Sequence, residues 1–142
     1  MTDKISSYTF DSIKIGQMEQ FVINIDEELV NSFAKLSGDY NPLHMDDEYA
    51  RSTKFEKRVC HGMLLASFLS RLIGIHLPGK TALYFSQTLN FRLPCFIGDQ
   101  IIIRGEVIKK HEATKIITLK TTMTNQIGKC IVDGFAKVIV RE

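Results

Sequence analysis

The chain has 142 residues, 44% of them hydrophobic and 24% charged, with a formal net charge of +2. That is the size of one ordinary domain able to bury its own core, which excludes a disordered or fibrous chain. The small basic excess forms no stripe of the kind that nucleic acid requires, so no nucleic-acid partner is expected. Cys60, Cys95 and Cys130 are odd in number and form no C-x-x-C pair. Neither a disulfide framework nor a zinc site is expected, and the reading is a reducing, cytoplasmic compartment.

The first seven residues have no apolar h-region and carry an acid at Asp3, unlike a secretory signal. The longest apolar stretch, residues 63–77, is interrupted by Arg71 and falls short of the ~20 residues a membrane span needs. No membrane insertion is expected. No linker, repeat or low-complexity tract divides the chain, so residues 1–142 read as one domain.

In chain order, residues 20–25 are rich in strand formers. Asp26 is a good N-cap for a helix through Leu29, Val30, Phe33 and Leu36, which Gly38 ends. Residues 39–60 are polar, with a turn at Asn41-Pro42 and a short helix at Asp47–Arg51. A long ordered loop inside a small domain points to function. Residues 63–77 then predict a helix apolar on almost every side, which must be surrounded by protein, and Pro78-Gly79 stops it. Residues 82–93, 100–110, 115–124 and 130–140 read as strands joined by short connections, hence antiparallel. The pattern is α+β: an antiparallel sheet wrapped around one central buried helix.

The stretch Ser37-Gly38-Asp39-Tyr40-Asn41-Pro42-Leu43-His44 brings an acid and an imidazole into one turn. Such a pair can hold and redirect a proton through a shared water, and Asn41 could orient either partner through its amide. The plain alternative makes Asp39 a turn cap and His44 an ordinary loop residue. Gly62 stands at the start of the central helix, where unpaired backbone N–H groups point outward at the positive end of the dipole. Its N–H could hold a developing oxyanion; alternatively, the glycine only relieves crowding.

Taken together, residues 33–44 (Phe-Ala-Lys-Leu-Ser-Gly-Asp-Tyr-Asn-Pro-Leu-His), His61-Gly62-Met63-Leu64-Leu65-Ala66-Ser67 and residues 91–99 resemble the (R)-specific enoyl-CoA hydratases of the MaoC-like family. The resemblance covers the chain from about Phe10 to Val140. It implies a single hot-dog domain, a homodimer, and an acyl tunnel at the subunit interface. Asp39 and His44 match the family's catalytic pair, and Asn41 matches a residue supporting it. Gly62 matches the position whose N–H binds the thioester carbonyl, and Ser70 falls where the family often has a serine near the pair. The substrate is then an acyl-CoA thioester, with no further cofactor and no metal. The run Lys57-Arg58-Val59-Cys60 departs from relatives that have a proline before the histidine, which touches the approach loop and leaves the acid/base groups intact.

Hydration of a trans-2-enoyl thioester needs an activated water at the β-carbon, a proton for the α-carbon, and a donor for enolate charge. The residues above can supply all three. Among the rest, Arg51, Lys54, Lys57 and Arg58 read as a solvated loop face ahead of a CoA-phosphate site. Arg92 is a candidate substrate contact, and tunnel closure around Ile73 would set chain length. His61 reads as fixing its loop rather than transferring protons, His76 as answering carbonyls at the helix end, and His111 has no evident partner. Rival readings are the same reaction on acyl-carrier-protein thioesters, a non-catalytic acyl-thioester binder, and a thioesterase. Hot-dog domains host several activities, so the fold does not choose among them.

Overall fold

A computed structural model describes residues 4–142; residues 1–3, including the acid read against a secretory signal, lie outside the described residues. Strand β1 (Met18–Asn24) leads to helix α1 (Glu27–Ser37). Asp26 Oδ1 accepts from Leu29 N at 2.8 Å, and Gly38 ends the helix in the left-handed region at φ 80°. Two short helices follow, α2 (Pro42–Met45) and α3 (Asp47–Arg51). Helix α4 (Gly62–Arg71) runs on through one π-helical turn, Leu72–His76. The rest is sheet: β2 (Ala82–Gln87), β3 (Asn90–Phe91), β4 (Gln100–His111), β5 (Ile116–Thr124) and β6 (Cys130–Val140).

The strands form one antiparallel sheet in the order β1-β4-β5-β6-β2, with β3 also paired to β6. Alternation along β4 turns Ile101, Ile103 and Val107 to the same face, where Ile117, Leu119 and Met123 of β5 join them. Against that face pack Leu64, Leu65, Leu69, Leu72 and Ile73 of α4 and its extension. This is the hot-dog arrangement expected from the pattern, with the helix as filling. Among the described residues no helix is long and apolar enough to cross a membrane.

Three expectations change. The polar segment contains a helical turn, α2, that periodicity could not show because it is four residues long. The strand expected over 82–93 is broken between β2 and β3, where the chain leaves β6 and returns to it. Gly134 permits this: a β-carbon there would lie 1.9 Å from Thr88 O. Thr88 N donates to Phe135 O, and Thr88 Oγ1 accepts from Phe135 N, so the detour keeps its hydrogen bonds. Finally, α4 is not apolar all round. Met63, Ser67 and Ser70 form an exposed stripe at spacings of four and three, with Met63 57% exposed.

Candidate active site

Local chemistry builds the acidic turn. Beyond the Gly38 cap, Ser37 Oγ accepts from Asp39 N at 3.1 Å, and Asp39 Oδ1 accepts from Asn41 N at 3.1 Å. Asn41 then caps α2, its Oδ1 accepting from Leu43 N at 3.0 Å, and Pro42 fills the first helical position. Asn41 therefore closes the turn that carries Asp39 and His44. The amide contact to an acid/base group that the sequence suggested is replaced by the cap, because a helix start one residue on presents a free N–H to Asn41.

His44 comes from α2, and its Nδ1–H donates to Val59 O at 2.7 Å. That bond fixes the tautomer and leaves Nε2 as an acceptor. Nε2 lies 4.0 Å from Asp39 Oδ2, a carboxylate oxygen not engaged in the turn. The separation of 4.0 Å is too long for a direct hydrogen bond but leaves room for one oxygen about 2.8 Å from each atom. The acid and the imidazole that are five residues apart in sequence thus converge.

His61 sits beneath them, 2% exposed. Its Nε2–H donates to Asp39 O at 3.0 Å, and its ring stacks on His44 with centroids 4.0 Å apart. Burial, ahead of the opposing bond to Asp39 O, pushes its pKa below the ordinary 6.5. Asp39, His44 and His61 each offer one ligand atom within 4.8 Å of the others. One nitrogen of each ring is already engaged, His44 Nδ1 with Val59 O and His61 Nε2 with Asp39 O.

His61 is also the N-cap of α4 and Gly62 its first residue, so the Gly62 N–H has no partner within the helix. A cavity of about 440 Å³ opens over this helix start, bounded by Asp39, His44, Gly62, Phe55, Phe91 and Cys95 among others. Arg92 lines its edge, tied by Nε to Asp133 Oδ2 at 3.1 Å. Two of the candidates lie elsewhere. Ser70 is exposed on α4, outside the cavity lining, and Ile73 is 1% exposed in the core under the sheet.

Arg58 is the clearest departure from the sequence reading. It is 5% exposed and no part of a solvated face. Its guanidinium donates to His44 O at 2.5 Å, to Glu27 Oε1 at 3.1 Å and to Asn31 Oδ1 at 2.8 Å, clamping the α2 segment to α1. Sequence proximity to Arg51, Lys54 and Lys57 hid it, since those neighbours are exposed. Phe91, beside Arg92, was also missed as a wall of the site; its ring covers Gly62. His111, without an evident partner in sequence, shares a 2.8 Å hydrogen bond with Thr114 Oγ1, and His76 stacks on Phe21.

A family model described as "MaoC like domain" matches residues 12–127. The chain belongs to the MaoC-like family. Among its MaoC-like relatives is the (R)-specific enoyl-CoA hydratase of Aeromonas caviae, 42% identical over 127 residues, which are 89% of this chain and 95% of that protein. The (R)-specific enoyl-CoA hydratase of Rhodospirillum rubrum is 38% identical over 138 residues, covering 97% of this chain and 95% of that one. The solved structure of "R-Hydratase PhaJ1 from Pseudomonas aeruginosa in the unliganded form" superposes with a TM-score of 0.94 at 34% identity, covering 99% of this chain and 90% of that one. The MaoC-like assignment and the hot-dog fold expected from the residues are therefore both met.

Proposed function

We propose that this protein is a hydro-lyase that reversibly hydrates trans-2-enoyl-CoA to (R)-3-hydroxyacyl-CoA. The observation that carries it is the 4.0 Å separation of Asp39 Oδ2 and His44 Nε2 at the wall of a largely apolar cavity whose floor is the start of α4. The similarity to (R)-specific enoyl-CoA hydratases over nearly the whole chain supports it.

Water held between the two atoms donates one proton toward the pair as its oxygen bonds to the β-carbon. The π pair moves toward the thioester, and enolate charge grows on the carbonyl oxygen. The Gly62 N–H, aided by the α4 dipole, meets that charge; one such donor is typically worth about 3–4 kcal/mol in the transition state. The proton taken from water then goes to the α-carbon on the same face, and both residues return to their starting state. The steps are redox-neutral, so they call for no redox cofactor beyond the CoA that the substrate carries, and the Gly62 N–H is assigned the enolate charge that a Lewis-acid metal would otherwise meet. Asn41 holds the turn and Arg92 stands at the cavity edge as a substrate contact, whereas Ile73 in the core and Ser70 on the exposed face of α4 lie outside the lining and take no part in these steps.

The protein works in the cytoplasm as a homodimer. The stripe Met63, Ser67 and Ser70 and the exposed Phe91 and Leu93 are surfaces that a second copy covers, closing the cavity into a tunnel. Light scattering after size exclusion tests this by mass, and a monomer would remove the tunnel.

The activity test follows the ultraviolet band of crotonyl-CoA after addition of protein, with free thiol measured in parallel. Loss of the conjugated band without thiol release is the expected result. Thiol release would mean a thioesterase. An unchanged band with CoA substrates of every chain length, but turnover of the carrier-protein form, would move the assignment to 3-hydroxyacyl-[acyl-carrier-protein] dehydratase. No turnover of either would leave a binder.

A further inference from the structure

We infer that His61 is a positioning residue of this site, acting as a neutral imidazole that locks the Asp39 backbone, the His44 ring and the Gly62 N–H into one rigid unit. The inference rests on the hydratase reading above and adds a residue to it.

Three contacts meet on one side chain. The Nε2–H bond to Asp39 O, at 3.0 Å, fixes the backbone that carries the carboxylate. The ring stacks under His44 at 4.0 Å and 29°, which limits the rotation that would carry Nε2 of His44 away from Asp39. On its other side the Phe33 ring meets it edge-on at 4.9 Å, so the imidazole is held from α1 as well. The same residue, as N-cap of α4, sets where the first free N–H of that helix points. One side chain thus links both proton-handling groups to the proposed oxyanion donor.

The protonation state follows from geometry. A carbonyl can only accept, so Nε2 carries the hydrogen and a neutral ring leaves Nδ1 bare. Nδ1 is buried and has no hydrogen-bond partner among the described residues. A second proton would be unpaired there, beside His44 and Arg58. Of the charged groups around the ring, only Asp39 favours the cation; Arg58 and a protonated His44 oppose it, and Phe33 of α1 is neutral. His61 therefore does not serve as a proton donor to substrate. It holds the groups that do so.

Two variants and one spectrum on the full chain test this. Gln carries an amide N–H near the place of Nε2 and does not titrate, whereas Phe keeps the ring volume and has no donor. In His61→Phe, kcat on crotonyl-CoA is expected to fall about 100-fold with KM nearly unchanged, as for a misplacement of the reacting groups. His61→Gln is expected to recover most of that loss. Full activity in His61→Phe, or equal losses in both variants, would overturn the assignment. Should His61→Phe not fold, ¹⁵N NMR of the wild-type imidazoles decides: the Nε2–H tautomer at pH 7 is required, and an Nδ1–H tautomer or an imidazolium refutes the role. Because the spectrum needs no turnover, a protein inactive on every thioester would sink the hydratase reading while leaving the geometry of His61 separately measured.

Discussion

The α-carbon of Gly62 lies beneath the ring of Phe91: a β-carbon built there would sit 2.8 Å from Phe91 Cε1 and 2.9 Å from Cδ1. The glycine thus lets an aromatic wall of the cavity close directly onto the start of α4. The atoms that a β-carbon would meet belong to the Phe91 ring and not to backbone, so the ring can swing aside. Gly62→Ala is expected to fold with a stability cost of about 1 kcal/mol, the low end for overpacking. It should lose most activity, because the new methyl stands beside the N–H that the thioester oxygen must reach. Combining it with Phe91→Ala separates the two effects. Thermal melts should recover in the double variant while kcat/KM does not. Recovery of both would mean that Gly62 serves only the ring.

The acid/base pair gives the sharpest test. Asp39 is exposed and bonded through its backbone and Oδ1, so Asp39→Asn retains the turn. Asp39→Asn and His44→Ala should each keep the wild-type circular dichroism spectrum and each lose about 10²–10⁴-fold in kcat. A fully active Asp39→Asn enzyme would end the mechanism.

Arg58 links stability to the site. Replacing it with Met keeps the stem and removes the donors to His44 O, Glu27 and Asn31. Glu27 is 66% exposed and is rehydrated when it loses its partner, so the cost comes chiefly from the buried contacts. Urea unfolding should show a loss of about 2 kcal/mol, within the range for hydrogen bonds to a charged group. Activity should fall as well, since the α2 segment that carries His44 loses its tie to α1.

Acid stability should report His61. Its folded pKa lies below the unfolded 6.5 because burial disfavours the charged ring. As pH falls through 6.5 the unfolded chain takes up a proton that the folded one refuses, so stability drops until the folded value is passed. Above 6.5 the group contributes no slope. His61→Gln should therefore flatten the melting temperature against pH as the pH falls below 6.5. An unchanged slope in calorimetry would show that the buried ring does not resist protonation.

The sequence by itself determined most of the fold, because its signals are local. Asp26 and Gly38 bound α1 through a side-chain acceptor and a left-handed cap, and each needs only its own neighbours. The alternation of β4 and β5 and the length of β6 follow from one buried face, which period-two patterning writes directly into the chain. Asp39, His44 and Gly62 were legible for another reason: their motif and spacing match a family, and a local turn places the first two while a helix start places Gly62. Tertiary structure alone decided the rest. Whether Arg58 faces water or α1 depends on Glu27 and Asn31, which lie 31 and 27 residues away. The break after β2 depends on Gly134 admitting the Thr88 carbonyl from another strand. That Asn41 caps a helix, that Phe91 covers Gly62, and that His61 lies under His44 are contacts between elements. Residue type limits such contacts, and only the packing of distant segments selects among them.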